Sequence, residues 1–200
     1  MEIFYRLNGQ MTVSRSEADL PGINLQDVIW IDLLSPTGDE KRAVEAYLGT
    51  VIQSRATAEE IESSSRFSET DAALFANTNF VIPGPESYVM ETVSFIIKGT
   101  TLTTLREVQL RSFTELQRRL MVFPKMYASG YSVFTSILEQ RIDSDADMIE
   151  ILSKEIEQYN HKVGLEEDIN EEFLLDINQL QENTMLLRET IVDKQRVISS

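Results

Sequence analysis

Val28-Ile29-Trp30-Ile31-Asp32-Leu33-Leu34 runs directly into Ser35-Pro36-Thr37-Gly38-Asp39-Glu40. The first segment is a nearly continuous apolar run around one carboxylate. Such a run reads as an interior strand buried on both faces. The second segment reads as the start of a helix that continues to about Leu48, with Gly49 as its stop. Upstream, Ile3, Tyr5 and Leu7 alternate along a strand, Asn8-Gly9 signals a tight hairpin, and Met11 to Val13 returns. Downstream, Thr57 to about Ser63 reads as a short helix, with Thr57 and Glu60 spaced as a capping box. Phe67 to Phe80 and Tyr88 to Ile97 read as strands separated by Pro83-Gly84-Pro85. Lys98-Gly99 turns the chain into Thr101 to Leu105, and Arg111 to about Val122 reads as a helix.

The pattern changes near Pro124. Two long helices are expected beyond it, from about Ala128 to Val163 and from near Asp168 to the last residue. Leu138, Ile142, Ile149, Leu152, Ile156, Tyr159 and Val163 form an apolar stripe on the first, interrupted at Asp145. Phe173, Ile177, Leu180, Leu187, Ile191 and Ile198 form one on the second, with Thr184 and Lys194 as polar members. Asp168 and Glu171 have capping-box-like spacing. No Gly or Pro marks an end to the second helix, which reads as cut in mid-helix. The expected architecture is α+β, an α/β/α sandwich with a mixed sheet over residues 1–125. A long antiparallel helical hairpin, or stalk, follows over 126–200.

The chain has 200 residues, 18 Lys and Arg, 33 Asp and Glu, and a net charge of −15. That balance argues against nucleic acid as a partner, because phosphate binding needs clustered cations. It points instead to cation partners, or to acidic faces kept apart by solvent. The absence of cysteine excludes disulfides, thiolate catalysis and Cys-based metal sites. No window of 18 or more apolar residues occurs, so no membrane span is expected. The first ten residues lack the basic and apolar regions of a signal peptide.

His161 is the only histidine, so no His-pair metal site can form within one chain. It reads as a helix-end or solvated residue beside Lys162. Asp143, Asp145 and Asp147 mimic the start of a calcium loop, but Met148 stands where Gly is required and Lys154 where Glu is required. These three carboxylates therefore read as a solvated helix face. No nucleophile elbow and no Gly-rich phosphate loop is present, so no enzyme is expected. Residues 139–157 carry seven acidic groups against Arg141 and Lys154, and residues 166–182 carry seven with no basic ones. Most read as outer faces; a few have the oxygen chemistry that a hard divalent cation wants.

The arrangement resembles the cytoplasmic part of the CorA-type magnesium transporter family. Trp30-Ile31-Asp32-Leu33 with the following Pro-Thr-Gly-Asp-Glu helix start is similar to a strand and first helix of that family. Ala58-Glu59-Glu60-Ile61-Glu62 resembles its short acidic helix, and Arg66-Phe67 then leads into a strand. Val93 to Ile97, Lys98-Gly99 and Leu102 to Leu105 resemble its central strands, and two long helices follow. The family's Gly-Met-Asn signature is not in the sequence.

The resemblance implies a homopentamer on the cytoplasmic side of the bacterial inner membrane, reaching the bilayer through C-terminal helices that this chain lacks. It implies Mg²⁺ as a low-affinity regulatory ion, with Co²⁺ or Ni²⁺ as related cargo, and no organic cofactor. It matches Glu60, its neighbour Glu59 and Asp176 to regulatory metal-site carboxylates shared between adjacent subunits. Glu60 is one methylene longer than the family's Asp. Two other readings stand beside this one: a zinc transporter of the same superfamily, and a soluble acidic helical scaffold for a basic protein partner.

Overall fold

The structure, a computed structural model, describes residues 1–52, 67–70, 73–84, 87–164 and 170–199. Strands β1 (Glu2–Leu7) and β2 (Gln10–Ser14) form the first hairpin. Asn8 and Gly9 both have positive φ, 51° and 80°, which matches the right-handed twist of the strands they join. Strand β3 (Val28–Leu34) is followed by α1 (Gly38–Leu48). Thr37 and Glu40 complete a reciprocal capping box, and Gly49 ends α1 in the left-handed region at φ 59°. The expected helix over Thr57 to Ser63 lies outside the described residues.

Strands β4 (Phe67–Glu69), β5 (Leu74–Pro83), β6 (Tyr88–Lys98) and β7 (Thr101–Arg106) follow. The segment expected as one strand from Phe67 to Phe80 is thus two. Thr70 bonds Ala73 through both backbone and hydroxyl and reverses the chain, so that Phe67 pairs with Ala76. Helices α2 (Arg111–Val122), α3 (Gly130–Gly164) and α4 (Glu171–Ser199) complete the fold.

The seven strands are ordered β2-β1-β3-β7-β6-β5-β4. Every pair is antiparallel except the central β3–β7 pair, so the sheet is mixed. Successive residues serve opposite layers. Phe95 and Ile97 face a core shared with α2, α3 and the end of α4. Ile96 and Leu105 face a second core under α1 and the 3₁₀ turn at Leu20. The α/β/α sandwich follows from this alternation. Trp30, Phe80, Phe95, Ile96 and Leu105, all from apolar strand runs, are buried.

The carboxylate inside β3 is buried too. Asp32 receives Nε and Nη2 of Arg106 at 3.1 and 2.7 Å, the Thr104 hydroxyl at 2.8 Å and Nε2 of Gln117 at 2.9 Å. Trp30 Nε1 donates to the same Thr104 oxygen at 2.9 Å. The parallel pair and α2 are thereby pinned by one satisfied polar cluster.

Helix α3 starts at Gly130, whose N–H bonds Thr100 O at 2.6 Å. A Cβ there would stand 2.2 Å from Leu102 N, so only glycine permits this approach to β7. Helices α3 and α4 are antiparallel: Asp145 meets Lys194 while Tyr159 meets Asp176. Their buried faces differ from the expected stripes. Leu138, Leu152, Phe173, Leu180 and Leu187 are buried as the stripes place them, but Ile142, Ile149, Ile156, Val163, Ile191 and Ile198 are exposed, and Val133, Ile137, Met148 and Val197, outside the stripes, are buried. The sheet and the partner helix select a face that only partly overlaps the expected stripes, and charged Arg141, Asp145 and Lys194 lie within it.

Removing one member of the central ion pair leaves an uncompensated buried charge, which costs about 3–5 kcal/mol. Asp32→Ala should lower unfolding stability in urea by that amount. The double variant Asp32→Ala/Arg106→Met should lose much less than the sum of the two single changes.

Candidate divalent-cation site

Asp176 is one of the three residues matched to metal-site carboxylates. It lies in the second turn of α4. That helix is started by Asn170, whose side chain accepts the N–H of Phe173 at 2.9 Å. The capping expectation placed on Asp168 lies outside the described residues. Phe173 turns inward and packs on Tyr159 of α3, with ring centroids 5.4 Å apart. This contact brings the Tyr159 hydroxyl to Oδ2 of the exposed Asp176, at 2.7 Å. The hydrogen bond to Asp176, then burial, then the charges of Asp176, Glu155 and Glu172 push the Tyr159 phenol up to about 12. Lys162 lies over the outer side of the Tyr159 ring at 5.1 Å, and its neighbour His161 is exposed in the last turn of α3.

Asp176 borders a polar recess of about 380 Å³ between the end of α3, the start of α4 and the loop before β6. Glu155, Gln158, Gln179 and Asn183 contribute oxygens or amides to it. Asn183 Oδ1 accepts the Tyr88 N–H at 3.0 Å and ties α4 to β6. Burial and the Glu155 charge raise the Tyr88 phenol as well. Glu59 and Glu60 lie outside the described residues, so their distance from Asp176 is not defined. Among the described residues, no three His, Asp or Glu side chains are grouped to hold a metal. Asp176 is therefore a single exposed carboxylate with one oxygen engaged.

A second polar cluster lies deeper, where the hairpin meets the sheet. Asp145 takes Nε of Arg141 at 2.7 Å on one oxygen and Nζ of Lys194 at 2.8 Å on the other. Both cations face the Phe80 ring, at 5.5 and 5.7 Å from its centroid. Next to Lys194, Asp193 accepts from Asn79 at 3.4 Å, and Asn79 in turn accepts from Thr92. Asp145 is thus no solvated carboxylate, unlike exposed Asp143 and Asp147. Burial, with Arg141 nearby, holds the Lys194 ammonium below the ordinary lysine value against the pull of Asp145 and Asp193.

A family model described as CorA-like Mg²⁺ transporter protein matches residues 25–200. The chain belongs to this family. The magnesium transport protein CorA of Wolinella succinogenes is 29% identical over 205 residues, covering 100% of this chain and 64% of that protein. This chain therefore spans less than two thirds of the length of that CorA relative. The soluble domain of CorA from Methanocaldococcus jannaschii superposes with a TM-score of 0.73 at 16% identity, over 88% of this chain and 72% of that one. The ZntB cytoplasmic domain from Vibrio parahaemolyticus superposes with a TM-score of 0.68 at 15% identity, over 98% of this chain and 75% of that one. At these identities the two structures establish the CorA fold and no more. No helix among the described residues is long and apolar enough to cross a membrane.

In this CorA-family chain the Arg141–Asp145–Lys194 cluster is absent from the sequence expectations. Its signal was an acid interrupting one apolar stripe and a lysine interrupting the other, on two helices expected to be antiparallel.

Two outcomes follow from these geometries. Asp145→Ala leaves two cations buried without their shared anion, and should lower stability in urea by about 3–5 kcal/mol. In a phenolate absorbance titration, one tyrosine should titrate near 12 and disappear in Tyr159→Phe. Asp176→Asn should move it back towards 10. Because the folded-state value lies above the unfolded one, this bond's contribution to stability is complete below pH 10 and lost between pH 10 and about 12.

Proposed function

We propose that the chain is the regulatory body of a CorA-type transporter that senses divalent cations, with Mg²⁺ as the ion. The observation that carries this reading is the family match across residues 25–200, joined by a CorA relative aligned over the whole chain. The acidic balance of −15 supports it, since apposed subunits of this charge need cations between them. In this reading five copies assemble on the cytoplasmic side of the bacterial inner membrane. Asp176 of one copy and Glu60 of its neighbour, with Glu59 adjacent, take a hydrated Mg²⁺ between them. Mg²⁺ keeps several waters and needs only one or two carboxylates, so single carboxylates from two chains suffice.

The sensing mechanism is linkage. An ion that finds both carboxylates only in the closed assembly favours that assembly by its differential affinity. When the ion is scarce, the preference is lost and the pore is released. Asp176 suits this role because it is exposed and its position is set by the Tyr159 bond. Nothing in the reading requires catalysis.

The likeness to the ZntB cytoplasmic domain supports a zinc-transporting variant of the reading. The ligand chemistry favours Mg²⁺: the chain has one histidine and no cysteine, whereas zinc prefers nitrogen and sulfur.

The test is thermal unfolding of the intact protein in MgCl₂ against NaCl of equal ionic strength, because any acidic surface gains from screening alone. Mg²⁺ in the millimolar range should raise Tm beyond NaCl. Glu60→Gln and Asp176→Asn should each remove the Mg²⁺-specific part and keep the screening part. Retention of the full Mg²⁺ response in both variants refutes the site. A larger shift with micromolar Zn²⁺ than with millimolar Mg²⁺ favours the zinc variant.

A further inference from the structure

Strands β3 and β7 lie side by side and run the same way, with Leu34 opposite Arg106 at their carboxyl ends. Beyond those ends the chain departs to opposite faces of the sheet. β3 continues into α1, whose Val44 and Leu48 pack in the core with Ile96 and Leu105. β7 continues into α2, whose Phe113, Leu116 and Leu120 pack in the other core with Phe95 and Ile97. Adjacent parallel strands whose connections part in this way leave a crevice at their carboxyl ends, and open sheets take their ligands there. Ser35 turns the chain off β3 at φ 42°, a left-handed conformation that few side chains adopt. The crevice is present as a polar recess of about 280 Å³, whose walls include Glu2, Asp32, Leu34, Arg106, Gln109 and Gln117.

We propose that this crevice binds a small uncharged molecule with an amide-like edge, of the nucleobase class. Charge selects neutrality. Each charged group of the recess already has its partner: Asp32 holds Arg106 at 2.7 Å, Glu2 holds Arg15 at 2.7 Å, and the Met1 amine holds Glu40 at 3.1 Å. A charged ligand finds no free countercharge there, and a charge taken out of water unpaired is costly. The carboxamides select the edge. Gln117 donates its Nε2 to Asp32 at 2.9 Å and keeps its side-chain oxygen unbonded among the described residues. Gln109 gives one amide hydrogen to Thr114 at 2.6 Å and has a second to give. The recess thus offers an acceptor and a donor, which the adjacent N–H and C=O of a ligand complete, as glutamine amides do on base edges. Its volume lies at the lower end for ligand pockets, which suits a base rather than a whole nucleotide. Asp176 and its recess contribute no residue here, so this site and the cation reading stand or fall separately.

The probe is uracil, titrated into the whole chain and followed by calorimetry and ligand-observed NMR. Two analogues accompany it: 1,3-dimethyluracil keeps the ring and carbonyls but has no N–H, and orotate adds a carboxylate. Uracil should bind with a Kd of about 1 mM or below. Each analogue should bind at least about tenfold more weakly, because a site built to pair an N–H rejects the molecule that lacks it. Gln109→Ala, at an exposed position, should weaken uracil binding at least about fivefold with an unchanged circular dichroism spectrum. Gln117→Met, which removes the acceptor at similar volume, should do the same. If Gln117→Met does not fold, the Gln109 variant decides alone. No binding of uracil up to about 10 mM, dimethyluracil or orotate binding as tightly as uracil, or full binding by the folded variants overturns the proposal.

Discussion

The Asp32–Arg106 pair holds together the one place where this sheet is parallel. A hairpin can set the register of antiparallel strands, but β3 and β7 are separated by more than sixty residues and have no turn between them. The pair supplies a side-chain connection that the chain path does not. Asp32 gathers Arg106, Thr104 and Gln117, and Arg106 also donates to Val108 O at 2.7 Å, just before α2. Arg106 lies 4.6 Å from the centre of the Phe113 ring, so the same guanidinium meets the core of α2. Full satisfaction matters here, because a half-satisfied buried cluster is worse than an apolar one.

The second charge cluster does for the hairpin what the first does for the sheet. Two cations share one carboxylate above a single aromatic ring of β5. An apolar interface would let α3 and α4 slide along the sheet at little cost. A directed ion cluster fixes their height and rotation. That rotation decides which residues remain outside. It presents Asp176 at the far end of the hairpin.

The buried clusters join hairpin and sheet into one unit. Asn183, bonded to the backbone of Tyr88, and Asp193, bonded to Asn79, are further ties along the same helix.

The elements of this fold are written in short-range chemistry. Asn8-Gly9, the helix start over Ser35 to Glu40, the stop at Gly49 and the apolar run of β3 each follow from a few adjacent residues, and each is found where those residues place it. The family could be read the same way, from the order of such segments. The faces of the long helices could not. Both helices carry apolar residues over more than half their circumference, so periodicity alone left the buried side undecided between neighbouring stripes. The choice fell to the sheet, which offers Phe80 and Val81 to one stripe. It was sealed by charges more than forty residues apart, which no local pattern connects. For the same reason Asp145 read as solvated: burial of a carboxylate depends on two cations meeting it in space, and only the tertiary structure brings Lys194 to Asp145.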